Sequence, residues 1–256
     1  GFSEKAEIDV SKIKQVINKY SNFADFPIFL KKEKINTVSA LWFKNKEEVT
    51  ESQLQEFYKF LTNDFDGPLA HIHLSLEGAV SFKALIFIPQ KAPFDFMRVP
   101  NEKSLHLYSN KILIQNDCKE LLPEYLRFVK GVVDTVDLPL NVSREVTQSS
   151  PVMVKIKNIL TKKILGFLQD LVVKQPQKYE QFYSNFGALL KTGINSDFNN
   201  KDALVELLRF ESSLLDRGTL TSLKEYVSRM KPEQKDIYYL SGESRDVIER
   251  NPNLEY

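Results

Sequence analysis

Apolar residues recur with two periods along this chain of 256 residues, and the change of period divides it. In the first part helical and strand spacing alternate. Ser11 to Tyr20 reads as a helix and Phe26 to Leu30 as a short strand. Thr50 and Gln53 form a capping-box pattern ahead of Leu54, Phe57, Tyr58 and Leu61, whose i, i+3, i+4, i+7 spacing predicts a helix. Two strands are expected next, Leu69–Leu76 and Ala79–Ile88, joined at Glu77-Gly78. Val80, Phe82 and Ala84 alternate with Ser81 and Lys83, and the run Leu85–Ile88 reads as buried on both faces. Leu105–Tyr108 and Ile112–Ile114 supply further strand material. Leu122, Leu126, Val129 and Val133 then return to helical spacing, with Pro123 in the first turn and Pro139 as the stop.

From Ser150 the period is helical for about sixty residues. Ser150 is placed to cap and Pro151 to occupy the first helical position. Met153, Ile156, Leu160, Phe167 and Leu171 line one face of this helix. A second helix carries Tyr179, Phe182, Tyr183, Phe186 and Leu190, and a third carries Leu204, Leu207 and Leu208. Beyond a loop at Glu211–Thr221, Ser222 and Glu225 repeat the capping box ahead of Leu223, Tyr226, Val227 and Met230. Asp236–Leu240 reads as a strand and Ser244–Arg250 as a helix. The expected class is α/β in the α+β sense, with helices layered on a mostly antiparallel sheet. The expected organisation is a large αβα subdomain over residues 1–149, a helical connector over 150–210 and the start of a small αβα subdomain over 211–256.

Composition narrows the functional classes. Lys plus Arg total 35 against 34 for Asp plus Glu, a net charge of +1, so no bulk field draws in nucleic acid or an anionic membrane. No apolar run approaches the roughly 18–20 residues that span a bilayer. The lone Cys118 has no internal disulfide partner, and the adjacent Asp117 and Glu120 would raise its pKa rather than activate it. Nine glycines are scattered without a GxGxxG or P-loop pattern, so no phosphate cradle is present. His71 and His73 would share one strand face, but no acidic or Cys cluster completes a metal site, and a polar strand face is the better reading. Asn141-Val142-Ser143 matches a glycosylation sequon, which we read as chance. The chain begins without Met and ends soon after a helix-like stretch, so an excised piece of a longer protein is expected.

The stretch Asp137–Glu145, DLPLNVSRE, concentrates the candidate chemistry. Asp137 and Pro139 make a turn, Leu138 and Leu140 anchor it, and Arg144 and Gln148 fall four residues apart on one helical face. Arg offers five donors in a fixed fork and stays charged, which suits reading a phosphate. On physical grounds alone such an arginine is more often a solvated or ion-paired surface residue.

DLPLNVSRE closely resembles the signature of the middle domain of the ninety-kilodalton heat-shock protein family, dimeric ATP-dependent chaperones. The longer run Leu121–Glu145 is similar to that family almost throughout. So are Glu47–Phe60, Phe82–Asp95, Leu207–Ser213, Leu220–Met230 and Lys235–Ser244, in the family's order. The resemblance implies that Arg144 and Gln148 are catalytic, completing an ATPase site held by a preceding nucleotide-binding domain, with Leu138, Leu140 and Asn141 anchoring the loop. Relatives usually carry an aliphatic pair where Val146-Thr147 stand here, so Gln148 is the less secure assignment.

The resemblance also implies client-binding positions at Phe65, where the family often has Trp, and at Phe94 and Leu113. For Phe65 the other reading is a ring folded back on its own helix. The implied partners are client proteins, the preceding domain and co-chaperones, not nucleic acid or membrane. ATP and Mg2+ belong to the longer protein, and no cofactor is expected on this segment. The segment is expected to be monomeric and the longer protein a homodimer, in the cytoplasm or an organelle. Two other functions stay open: a non-catalytic client or co-chaperone scaffold, and the transducer domain of a topoisomerase-type ATPase. The neutral charge balance disfavours the transducer, which would show a basic face.

Overall fold

The computed structural model describes residues 9–36, 39–92, 105–138, 150–251 and 254. It divides into two compact units, residues 1–167 and 168–256.

The first unit opens with helix α1 (Val10–Tyr20), capped by Asp9, whose Oδ1 accepts from Ser11 N–H at 2.9 Å. A two-residue hairpin follows, β1 (Phe29–Leu30) with β2 (Glu33–Lys34). Helix α2 (Glu51–Thr62) has both halves of the expected capping box and ends at Asn63 in the left-handed region. The main sheet consists of β3 (Pro68–Leu76), β4 (Phe82–Pro89), β5 (Leu105–Ser109), β6 (Ile112–Gln115) and β7 (Lys130–Thr135). The strand order is β3-β4-β7-β5-β6, antiparallel throughout except for the parallel β5–β7 pair. The layered α+β class therefore holds.

Register sets the two faces of the sheet. Leu85, Phe87, Val132, Tyr108 and Leu113 belong to one buried cluster with Phe23, Leu41, Trp42 and the inner face of α2, Leu54, Phe57 and Tyr58. Phe23 meets Trp42 edge-on with ring centroids 4.8 Å apart, and Tyr108 at 5.7 Å. The other face of β4 carries Phe82, Ala84, Ile86 and Ile88, all buried. β4 is thus apolar on both faces, as a central strand should be. Gly131 in β7 has φ of 142°, and a Cβ there would stand 2.3 Å from Leu85 O, so the neighbouring backbone leaves room only for glycine.

The expected helix over Leu122–Val133 is not formed. Short 3-10 turns at Lys119–Leu121 and Glu124–Leu126 are followed by β7, which lies in the middle of the sheet. Leu121, Leu126, Val129, Val132 and Val133 are all buried, so the apolar spacing is real, but turns and a two-sided strand produce it.

Helix α3 (Pro151–Lys174) begins where expected and crosses the unit boundary. Val154 N–H donates to Ser150 O at 3.2 Å. Ser150 Oγ is buried with no partner among the described residues, so the expected side-chain cap is not made.

In the second unit, α4 (Pro176–Ser196) buries Tyr179, Phe182, Tyr183, Phe186 and Leu190, the predicted stripe. Against it lies α5 (Lys201–Leu207), which buries Leu204 and Leu207. Tyr183 Oη donates to Arg209 O at 2.9 Å and Tyr179 Oη to Leu207 O, which ties the end of α5 to α4. Next come the paired β8 (Phe210–Glu211) and β9 (Leu220–Thr221), the capped α6 (Leu223–Ser228), and α7 (Arg245–Glu249). Arg217 pairs with Asp246 and Glu249, and Arg245 with Glu211 and Glu249. The expected strand at Asp236–Leu240 is not one. It joins no sheet among the described residues: Tyr238 N–H donates to Tyr226 Oη at 3.3 Å instead, and Tyr238, Tyr239 and Leu240 are exposed.

Candidate functional site

Of the residues singled out for catalysis, Arg144, Gln148, Leu140 and Asn141 lie outside the described residues, as does Phe94 among the client-contact positions. The structure does describe the two ends between which residues 139–149 are carried. At the N-terminal end, β7 runs out through Val136 to Asp137 and Leu138. Asp137 Oδ2 accepts from Ser81 N–H at 2.6 Å, Thr135 Oγ1 donates to Ser81 O at 2.8 Å, and Asp137 N–H donates to Thr135 Oγ1 at 3.2 Å. The first two bonds tie the exit of β7 to the entry of β4, and the third closes the turn at that exit. Leu138 is buried. At the C-terminal end Ser150 is buried and α3 starts at once. An open, mostly apolar groove of about 340 Å³ lies between the β3–β4 turn and Lys155, Asn158 and Ile159 of α3.

Phe65 is 78% exposed just beyond the end of α2. Its only described ring contact is Lys59 Nζ, 4.1 Å from the centroid. The backbone beneath it is held firmly. Tyr58 Oη donates to Asp64 Oδ2 at 2.7 Å, Asp66 N–H to Asp64 Oδ1 at 2.9 Å, and Lys91 Nζ to Asp66 Oδ2 at 2.8 Å. Burial, reinforced by Asp64, pushes the Tyr58 hydroxyl far above its ordinary pKa, so it remains a donor. Leu113 corrects an expectation. It is 4% exposed within the aromatic cluster, so it packs the core and offers no surface to a partner.

Sequence reasoning missed Asp134. This carboxylate is 3% exposed on β7, and its Oδ2 accepts from Trp42 Nε1–H at 3.0 Å and Lys111 N–H at 2.8 Å. Burial raises its pKa, and the bonds from Trp42 and from the Lys111 and Asn110 backbone oppose that rise. The β5–β6 turn that delivers these amides has positive φ at both Asn110 and Lys111. An acid inside the apolar run Val132–Val136 was the available signal.

Cys118 is buried, and burial together with Glu120 pushes its thiol pKa far up, which keeps it unreactive. His73 sits with Nε2 3.4 Å from Trp42 O, and burial lowers its pKa. Among the described residues no group of three or more His, Cys, Asp or Glu could hold a metal ion, and no helix is long and apolar enough to cross a membrane.

A mixed sheet with one aromatic-filled face, followed by a tyrosine-locked helix pair, defines a layered α+β protein. The chain belongs to the Hsp90 family, whose model matches residues 30–256. It is 56% identical over 248 residues to the chaperone protein HtpG of Chlorobium phaeovibrioides, covering 96% of this chain and 40% of that protein. It is 42% identical to the HtpG of Desulfitobacterium hafniense, covering 95% of this chain and 40% of that protein. For the HtpG of Geobacter sulfurreducens the identity is 40%, covering 98% of this chain and 42% of that protein. The chain thus spans about 40% of the length of these relatives.

Proposed function

We propose that this chain is the middle region of an ATP-dependent chaperone, supplying Arg144, assisted by Gln148, to a nucleotide held by a preceding domain, and offering a surface to client proteins. The observation that carries this reading is membership of the Hsp90 family over a span that includes Arg144. The anchored ends at Leu138 and Ser150 support it, because a guanidinium that must meet a phosphate needs a fixed mounting. ATP is the substrate of the longer protein and Mg2+ travels with it. Functionally, residues 1–149 carry the loop and the client surface, 150–210 connect, and 211–256 begin a second α/β unit. The longer protein works as a homodimer joined outside this chain, with co-chaperones as further partners. The relatives reported above are bacterial, which favours the cytoplasm over an organelle.

Two measurements test this reading. Isothermal calorimetry of this chain with ATP and magnesium should show no binding tighter than millimolar, since it brings an arginine but no cradle. A micromolar site would overturn the division of labour. Phe65→Ala in the longer protein should weaken binding of unfolded protein about ten-fold or more, because covering a Phe is worth roughly 1.5–3 kcal/mol. Unchanged affinity with a lowered melting temperature would assign Phe65 to packing instead. A scaffold without catalysis is the second reading, favoured by the exposure of Phe65.

A further inference from the structure

We infer that α7 is an electrostatic latch: five linked charged side chains clamp it to the β8–β9 hairpin, and rising ionic strength releases it while the α4–α5 pair stays folded. The inference is independent of the catalytic reading above. Arg217, in the loop between β8 and β9, pairs with both Asp246 and Glu249 of α7. Arg245, on α7 itself, spends all three guanidinium nitrogens in the same place. Its Nε donates to Glu249 Oε1 at 2.6 Å, Nη1 to Glu211 Oε2 of β8 at 3.0 Å, and Nη2 to Leu215 O at 3.1 Å. Glu211 Oε2 also accepts from Gly218 N–H at 3.3 Å, which ties it to the residue beside Arg217. Arg245 above all holds the carboxyls of Glu211 and Glu249 below the usual range.

The second observation is how little apolar burial α7 has. None of its five residues is buried, Val247 is exposed, and Ile248 is only half-buried, packed on Gly242. A helix this short does not persist on its own, because one turn does not repay the cost of nucleation. α4, in contrast, buries Tyr179, Phe182, Tyr183, Phe186 and Leu190. An isolated exposed ion pair contributes little, since two side chains must be ordered for one contact. Here each ordered arginine serves at least two contacts, Glu249 receives both arginines, and the Arg245 side chain is only 20% exposed. Contacts of this kind remain open to salt, because the Debye length falls from about 30 Å at about 0.01 M to about 3 Å at about 1 M. An element held by charge rather than burial opens ahead of the unit that carries it. Tyr238 N–H, donating to Tyr226 Oη at 3.3 Å, marks where the rest of the unit still holds the chain.

Amide hydrogen exchange of this chain, read by NMR at fixed pH, tests the latch. The reporters are Ile248 and Arg250, whose N–H groups donate to Ser244 O at 3.1 Å and Asp246 O at 3.3 Å and lose those bonds when α7 unwinds. The amides of α4 are the internal control for the fold of the unit. Raising sodium chloride from about 0.01 M to about 1 M should speed exchange at both reporters about ten-fold or more and leave α4 unchanged. Arg217→Glu sets a third carboxylate beside Asp246 and Glu249, and should speed the reporters to a similar extent at low salt. Ile248→Ala should speed them less than Arg217→Glu does. If the reporters keep their protection in high salt and in Arg217→Glu but lose it in Ile248→Ala, packing on Gly242 holds α7 and the latch falls. If salt speeds the α4 amides together with the reporters, α7 does not detach by itself and the proposal falls as well.

Discussion

Asp134→Ala should destabilise the first unit by about 3–5 kcal/mol, and Asp134→Asn by about 1 kcal/mol or less. The alanine strands Trp42 Nε1–H and Lys111 N–H in the core, and each unsatisfied buried donor costs about 1–3 kcal/mol. Both bonds end on one oxygen, Oδ2, so an asparagine carbonyl can accept both. It also relieves the site of a buried charge. The pH dependence separates the two effects. Asp134 has a folded-state pKa above its unfolded value, so the folded state favours the proton. Its contribution to stability is therefore greatest at low pH and declines as pH rises from the ordinary carboxylate range through the raised folded value. Asparagine has no such slope, so it should compare more favourably with the wild type at pH 7 than at pH 4. Urea unfolding followed by fluorescence measures this cleanly, since Trp42 is the sole tryptophan and is fully buried. Equal losses in the two variants would show that the charge, not the acceptor geometry, holds the site.

How much of this was legible in the sequence depended on whether local and distant forces agreed. α2 was readable because Thr50, Gln53 and the Leu54–Leu61 stripe point to one helix, and its packing asks for nothing else. The α4 stripe was readable for the same reason. Leu122–Val133 misled because 3-10 turns, with a period near three, followed by a strand buried on both faces leave apolar residues at nearly helical intervals. Gly131 and the β-branched Val132-Val133 were the local evidence for a strand, and pairing with β4 and β5 decided it. Asp236–Leu240 failed in the opposite direction. Ile237, Tyr238 and Tyr239 favour a strand, but propensity makes no ladder without a neighbour to receive it. Among site residues, Leu138 reads as an apolar residue beside a turn and is buried, whereas for Phe65 the sequence left exposure and packing on its helix open. Leu113 could not, because an apolar residue on a short strand reads alike whether it faces the core or a partner, and here Phe23, Trp42 and Tyr108 enclose it.

Arg144→Ala in the longer protein should lower ATP turnover about 10-fold to 10²-fold while leaving ATP affinity nearly unchanged. The separation follows from where the groups reside. On the proposed reading the binding energy for the nucleotide comes from a cradle outside this chain, so KM should barely move. An arginine that meets the γ-phosphate acts on charge that develops as the group transfers, so kcat should fall. Arginine fingers reach about 10³–10⁵ in rate where chemistry limits. The smaller figure is expected because closure of one domain on another can set the pace instead. Arg144→Lys should recover little, since an ammonium keeps the charge but not the planar fork. Steady-state turnover with a separate measurement of nucleotide affinity decides the matter. A fall in affinity equal to the fall in turnover would make Arg144 a binding residue. Near-normal turnover in the alanine variant would leave it a structural part of the segment between Leu138 and Ser150, and the scaffold reading would take over.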